Sequence, residues 1–281
     1  MLFVMTYKKT KAKTSSMNVF DEMGSYWAEI AKQNLTDKQI TFLRNTIKTN
    51  GLVLDLACGT GRHSIALSKE GYGMVGLDLS PNLLRIAKNR NSSVQLVRGD
   101  MRFLPFRPRA FSTAVSMDTS FGYLPFEKDD MQSLDEVRKM LDQGGLLIVD
   151  VFNRECLNLK YKHTRFKSIK RVLLPLLLNP NRLARRVIFR FLKWKEYPSF
   201  FLFQSRNLTT NGEMVHDLWL VCDKANGQIR VFDHIVRLYE LMHLQRLIEG
   251  ASFTVNTVYG NYDGRIFSPN SDRLILVASA K

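Results

Sequence analysis

"LVLDLACGTGRHSIALSKEGYGMVGLDLS", residues 52–80, decides how this chain folds. "LVLDLA" is a short apolar run that stops at a glycine turn, Gly59-x-Gly61. "RHSIALSKEG" follows with helical spacing and closes on Gly71, and "GMVGLDL" is a second apolar run ending on Asp78. The stretch therefore reads as strand, turn, helix, strand. Glycine in the turn permits positive φ and close approach to the backbone. The helix after it offers free N–H groups and the positive end of its dipole. A carboxylate at the end of the second strand would stand beside that turn at one sheet edge, where it can accept hydrogen bonds from the two hydroxyls of a ribose. The unit reads as a nucleoside holder. A Gly-x-Gly taken alone is an ordinary tight turn, and Asp78 taken alone is a capping acid for the helix that follows. The pairing of the two carries the reading.

The same rhythm extends outward. Residues 18–33 and 36–49 read as helices, and "SPNLLRIAKNR" opens with a Ser cap and Pro81 at the first helical position. "SVQLVRGD" and "FSTAVSMD" are strands, "EKDDMQSLDEVRKMLDQGG" is an amphipathic helix ending on glycines, and "LLIVDVF" is a fifth strand. Short apolar strands alternating with helices predict an α/β fold with a Rossmann-like, doubly wound, mostly parallel sheet. The rhythm breaks after Phe152. Residues 199–236 read as an antiparallel meander with turns at Asn211-Gly212 and Asn226-Gly227. A helix, "ELMHLQRLIEG", and two strands, "FTVNTVYG" and "RLILVAS", complete the chain. The expected organisation is a basic tail over 1–17, a sheet domain over 18–153 and 238–281, and an inserted cap over 154–237, helical first and then antiparallel β.

The 281 residues carry a net charge of +15, of which residues 154–206 hold +12, from fourteen Lys and Arg against two acids. An anionic partner should dock there. The three cysteines, Cys58, Cys156 and Cys222, are far apart and make neither a disulfide framework nor a metal pattern. A cytoplasmic setting is the expectation. No apolar run is long enough to span a bilayer, and the N-terminal stretch has its apolar and basic parts in the wrong order for a secretory signal. No His, Cys and Asp cluster has metal-ligand spacing.

"ACGTGRHS" has Ser64 where a dinucleotide fingerprint has its third glycine, and Asp55 lies inside the preceding strand. This acid-x-x-x-Gly-x-Gly pattern resembles motif I of class I S-adenosylmethionine-dependent methyltransferases of the small-molecule tailoring type. "RGDMRFLPF", "VSMDTSFGYLP", "LDQGGLLIVDVFN" and the C-terminal "YGNYDGRIFSPNSDRLILVASAK" resemble that family's later segments, in order and at its usual spacing. The likeness covers about residues 18–153 and 232–281; the basic block at 154–197 departs from the pattern. It implies S-adenosylmethionine as cofactor, with Gly59, Gly61 and Ala57 at its methionine part, Asp78 and Leu79 at the ribose, Asp100 and Met101 at the adenine, and Met117 below the sulfonium. Tyr26 and Trp27 would close over the cofactor, and Asp55 would orient the loop from behind. His63 reads as a polar helix-start residue and Cys58 as a small buried one.

Transfer of a sulfonium methyl is an in-line displacement in which positioning dominates. A base is needed only for an acceptor that must lose a proton. Tyr123, His216, His234, Tyr259 and Tyr262 are candidates, with His234 and Tyr123 ahead and Phe121 as a second aromatic wall. A structural histidine on a strand is the competing reading of His234. The stretch "NPNRLARRVIFRFLKWKEY", residues 179–197, wound as a helix separates an apolar half from a basic half. Segment 160–195 is thus a lid, a peripheral contact with an anionic membrane, or an RNA contact. RNA ranks last because aromatic–basic RNA modules and the Asn/Asp-Pro-Pro-aromatic motif are missing. The expected function is methyl transfer to a small or lipid-like acceptor. The alternatives are an RNA-directed methyltransferase and a nucleoside-binding regulator without turnover.

Overall fold

A computed structural model describes residues 18–32, 36–48, 50–91, 93–161 and 194–281. Apolar runs become the strands of a seven-stranded sheet: β1 (Val53–Leu56), β2 (Met74–Asp78), β3 (Gln95–Arg98), β4 (Phe111–Ser116), β5 (Leu141–Phe152), β10 (Phe253–Tyr259) and β11 (Arg273–Ala280). Their order is β10-β11-β5-β4-β1-β2-β3. The first five run parallel, while β11 is antiparallel to both β5 and β10. Alternate residues feed two different cores, which is why these strands read as continuous apolar runs. Leu54, Leu56, Leu77, Leu147, Val149, Leu274 and Leu276 face one cluster, and Val53, Met74, Val115, Ile148, Ile275 and Val277 face the other.

Helices cover both faces. On the first, α6 (Glu127–Met140) contributes Leu134, Val137 and Met140, three residues apart, and α8 (Leu241–Gly250) contributes Leu244, with Leu247 and Ile248 three and four residues on. On the second, α3 (Thr36–Thr46) contributes Ile40 and Leu43, and α4 (Arg62–Lys69) contributes Leu67. Burial of each such side chain is worth about 1.5–3 kcal/mol. Helix α5 (Pro81–Arg90) starts as its sequence says, with Ser80 Oγ accepting from Leu83 N–H at 3.0 Å and Pro81 at its first position.

A second, four-stranded antiparallel sheet is formed by β6 (Lys195–Glu196), β7 (Phe200–Leu208), β8 (Met214–Asp223) and β9 (Ile229–Arg237). Gly212 and Gly227 take the positive φ their turns require. Two short N-terminal helices, α1 (Val19–Met23) and α2 (Ser25–Lys32), pack between this sheet and α5. Helix α7 (Arg154–Tyr161) leads away from β5.

Three expected boundaries are corrected. The 18–33 helix breaks at Gly24, whose φ of +47° cannot continue a helix. The helix expected to reach Gly145 ends at Met140; Leu141 pairs with Phe111, and an irregularity in the β4–β5 register absorbs the glycines. The end of the 179–197 helix is strand: Lys195 and Glu196 pair with β7, and Pro198 bars helix beyond Tyr197. Residues 179–193 of that amphipathic stretch, and the 1–17 tail, lie outside the described residues.

Candidate active site

The carboxyl ends of β1 to β4 all point to one edge of the sheet, and the loops leaving them line a cavity of about 870 Å³, part of it open to solvent. Ala57 and Gly59 come from the loop after β1, Asp78 and Leu79 from the end of β2, Asp100 and Met101 from the loop after β3. Asp118, Thr119, Ser120 and Tyr123 follow β4, and Phe20 and Trp27 close the cavity from α1 and α2.

Asp78 is the anchor of the first turn. Its Oδ2 accepts from Gly59 N–H at 2.7 Å and its Oδ1 from Ser80 N–H at 2.8 Å. Burial raises its carboxyl above the usual range. One bond on each oxygen leaves a carboxylate with lone pairs to spare for two further donors. Ala57, at φ +53°, and Gly59, at +56°, make the left-handed turn that brings the backbone to the cavity. Asp100 is held by Arg102, whose Nε and Nη2 reach both carboxylate oxygens at 2.6–3.1 Å. Burial opposes its charge, but these bonds prevail and hold the carboxyl below its usual range.

Not every expected site residue reaches the cavity. Asp55 points to the opposite face of β1, where its Oδ2 accepts from Ser64 Oγ at 2.5 Å and burial pushes its carboxyl up to about 6. It ties α4 to the sheet and does not line the cavity. Gly61 turns its Cα toward α5: a Cβ there would lie 3.1 Å from Ala87 Cβ. Met117 alternates away into the α3–α4 core. Tyr26 donates its hydroxyl to Asp223 Oδ2 at 2.7 Å and packs on Phe200 away from the cavity, which Trp27, expected beside it, does line, together with Phe20. Phe121 packs against Tyr239 and does not face the cavity. Cys58 sits buried against Gly76, with its thiol pushed well up by burial. His63 Nε2 is 3.0 Å from Gln39 Oε1 and burial holds the ring neutral.

Of the candidate bases, Tyr123 alone lines the cavity. Burial, reinforced by Asp217, raises its phenol far above the usual range, so it stays protonated. His234 lies one layer behind. Its ring is 5.6 Å from Phe20, 5.8 Å from Tyr123 and 5.1 Å from Trp219. It belongs to a cross-strand row, Arg206–Asp217–His234, in which Arg206 grips Asp217 with two bonds of 2.8 and 2.6 Å. Burial pushes His234 down to about 4, and among the described residues neither its Nδ1 nor Trp219 Nε1 has a hydrogen-bond partner. His216 pairs with Asp233 on the opposite face of β8, Tyr259 packs on Phe42, and Tyr262 is buried in the sheet domain.

The wall after β4 has a feature the sequence did not announce. Asp118 and Thr119 are consecutive non-glycine residues in the left-handed region, at φ +56° and +63°. Such residues cost of order 1–3 kcal/mol each and persist only where their surroundings over-determine them. Arg62 Nη2 donates to Asp118 Oδ2 at 2.6 Å, Asp118 N–H to Asp150 Oδ2 at 2.8 Å, and Thr119 N–H to the Asp150 carbonyl at 2.9 Å. Arg273 Nη2 donates to Thr119 Oγ1 at 2.8 Å.

Residues 53–145 match a family model described as a methyltransferase domain. A glycine/sarcosine N-methyltransferase of Parasynechococcus marenigrum is 37% identical over 116 residues, 39% of this chain and 41% of that protein. A putative methyltransferase of Geobacillus sp. is 24% identical over 92% of this chain and 98% of its own length. The chain spans about half the length, or less, of most of the curated relatives it matches, as with 55% of a putative methyltransferase of Bacillus subtilis. Among solved structures, the CcbJ methyltransferase from Streptomyces caelestis superposes with a TM-score of 0.72 at 15% identity, over 96% of this chain and 100% of that one. An S-adenosylmethionine-dependent methyltransferase from Clostridium acetobutylicum gives 0.70 at 16% identity, over 94% and 99%. Among the described residues no set of side chains could hold a metal ion, and no helix is long and apolar enough to cross a membrane.

Proposed function

We propose that this chain transfers a methyl group from S-adenosylmethionine to a small-molecule acceptor, a reading supported by the match of residues 53–145 to a methyltransferase-domain model and by the likeness of its fold to class I S-adenosylmethionine-dependent methyltransferases. The observation that supports it most is the convergence on one cavity of the Gly59 turn, the Asp78 carboxylate and the Asp100–Met101 segment. This donor set fits the cofactor. Asp78 has acceptor capacity for two ribose hydroxyls, Asp100 for an amino group, and Leu79, Leu83 and Met101 offer an apolar bed for a flat base. When bound, S-adenosylmethionine supplies a methyl group already activated as a sulfonium. The protein's part is to hold, align and exclude water, with Phe20, Trp27 and Tyr123 as aromatic walls.

Among the described residues, the titratable side chains on the cavity are Asp78, Asp100, Asp118 and Tyr123. Tyr123 keeps its proton, and Asp118 is engaged by Arg62. This favours an acceptor that can reach the site with a lone pair already free, such as an amine taken up from its unprotonated fraction, over a hydroxyl that needs a base in the site to take its proton during transfer. Two relatives are named as N-methyltransferases, one for glycine/sarcosine and one for an amino sugar nucleotide, which agrees with that preference. The antiparallel sheet and α1–α2 would form the acceptor side of the site, as a cap.

The test is calorimetry with S-adenosylhomocysteine. Asp78→Ala should weaken binding at least 100-fold, the equivalent of about 3 kcal/mol for two charge-assisted hydrogen bonds. Unchanged affinity would refute the placement. A panel of small amines and phenols, read by S-adenosylhomocysteine release, should give turnover with amines first.

A further inference from the structure

Behind the wall after β4 lies a hydrogen-bonded chain of buried polar residues drawn from five distant parts of the sequence. Asp150, on β5, has no exposed surface. Its Oδ1 accepts from Arg273 Nε at 2.7 Å, and its Oδ2 accepts from Tyr262 Oη at 2.7 Å as well as from Asp118 N–H. Tyr262 in turn accepts from Gln39 Nε2 at 2.9 Å. Gln39 Oε1 then receives Arg62 Nη1 at 2.6 Å and His63 Nε2 at 3.0 Å. Since that oxygen can only accept, His63 must carry its proton on Nε2. The chain closes on itself through Arg62, which returns to the Asp118 carboxylate. None of its side-chain N and O atoms is left buried without a partner.

A buried pair such as Asp150–Arg273 is a poor stabiliser, because taking both charges out of water offsets most of their attraction. Its value lies in what it specifies. Besides the bond from the Tyr262 hydroxyl, three bonds of the pair end on Asp118 or Thr119, the two residues whose left-handed backbone has no glycine to ease it. We propose that Asp150, Tyr262 and Arg273 are positioning residues: they hold Asp118 and Thr119 in the conformation that shapes the cavity wall, and thereby set affinity for the nucleoside cofactor. The affinity half of this rests on the methyltransferase reading; the loop-holding half does not.

Two measurements on the full chain separate these halves. In Arg273→Gln, hydrogen exchange at the Asp118 and Thr119 amides should accelerate at least 10-fold, while the amides of Val53–Leu56 in β1 keep their protection. Tyr262→Phe, which removes the bonds to Asp150 and Gln39, keeps the ring and leaves Arg273 in place, should move the same two amides in the same direction by less, and serves if the arginine variant folds poorly. Calorimetry with S-adenosylhomocysteine should show affinity at least 10-fold weaker in Arg273→Gln. If strained backbone is the reason, that loss should shrink to below 3-fold when Arg273→Gln is made in a Thr119→Gly background, because glycine takes φ near +63° without strain. A merely structural arginine would lose as much in both backgrounds. Unchanged exchange at 118 and 119 would overturn the positioning role. Faster exchange with unaltered affinity, or equal losses in both backgrounds, would overturn the link to binding. A wild-type chain that ignores S-adenosylhomocysteine would sink the proposed function, with the exchange result still deciding the positioning role.

Discussion

Asp55 shows how a residue can sit in a binding motif and serve the fold. Its carboxylate accepts from Ser64, at the start of α4, and burial raises its pKa from an ordinary 3.8 to about 6. The folded chain therefore holds the proton more tightly than the unfolded one. The stability this gives is present at low pH and is lost as pH rises from about 4 to about 6, a change of about 3 kcal/mol at most. Asp55→Asn keeps an acceptor for Ser64 and removes the charge. Its melting temperature should vary less than wild type between pH 4 and 6 and should not fall at pH 7; a marked fall at pH 7 would mean that the charge is needed. Gly61 teaches a related lesson. Its φ of +69° and the nearness of Ala87 and Ile65 make it a helix-packing glycine. Gly61→Ala should lower unfolding free energy by about 1–3 kcal/mol, yet any folded fraction should bind S-adenosylhomocysteine with wild-type affinity, measured by calorimetry. Motif spacing announced that a glycine was required at 61; only the packing says for what.

At the level of elements, two of the contacts that tie the antiparallel sheet and α1 to the seven-stranded sheet and its loops carry predictions. Gly122, at φ +99°, accepts Arg237 N–H at 2.9 Å, and a Cβ on it would lie 2.7 Å from the Arg237 carbonyl oxygen. Gly122→Ala should therefore push β9 from the loop after β4, lowering stability by about 2 kcal/mol or more in urea unfolding. Helix α1 is latched at the other end: Asp21 Oδ1 accepts from Ser80 Oγ at 2.6 Å and from Asn82 N–H at 3.0 Å, beside Asp78. Asp21→Ala should cost about 1 kcal/mol of stability and speed S-adenosylhomocysteine release, followed by stopped-flow tryptophan fluorescence through Trp27. The elements themselves were legible because each carries its own local signal: apolar runs for strands, Ser80-Pro81 for a helix start, Asn-Gly for hairpin turns. Their junctions were not. Nothing local to Asp21 marks it as a cap for a helix some sixty positions away, and nothing local to Lys195 tells a helix end from a strand.

Across the whole molecule, the cofactor half of the candidate site was legible because its residues fall in short segments after successive parallel strands, so chain order and spatial order coincide. The polar network behind it was not, since Gln39, Arg62, Asp150, Tyr262 and Arg273 meet only once the sheet has closed. The row Arg206–Asp217–His234 was hidden for the same reason: a single strand shows alternation, while cross-strand register decides neighbours. The position of β11 has a temporal side. It lies inside the sheet, between β5 and β10, and brings Arg273 to Asp150. A ribosome makes the chain from its N-terminus, so every residue lining the cavity emerges more than a hundred positions before this strand. Until then β5 has an open edge and the Asp118–Thr119 turn lacks its clamp. A nascent chain halted before residue 273 would hold every residue that lines the cavity and still be an aggregation-prone intermediate with an unclamped cavity wall.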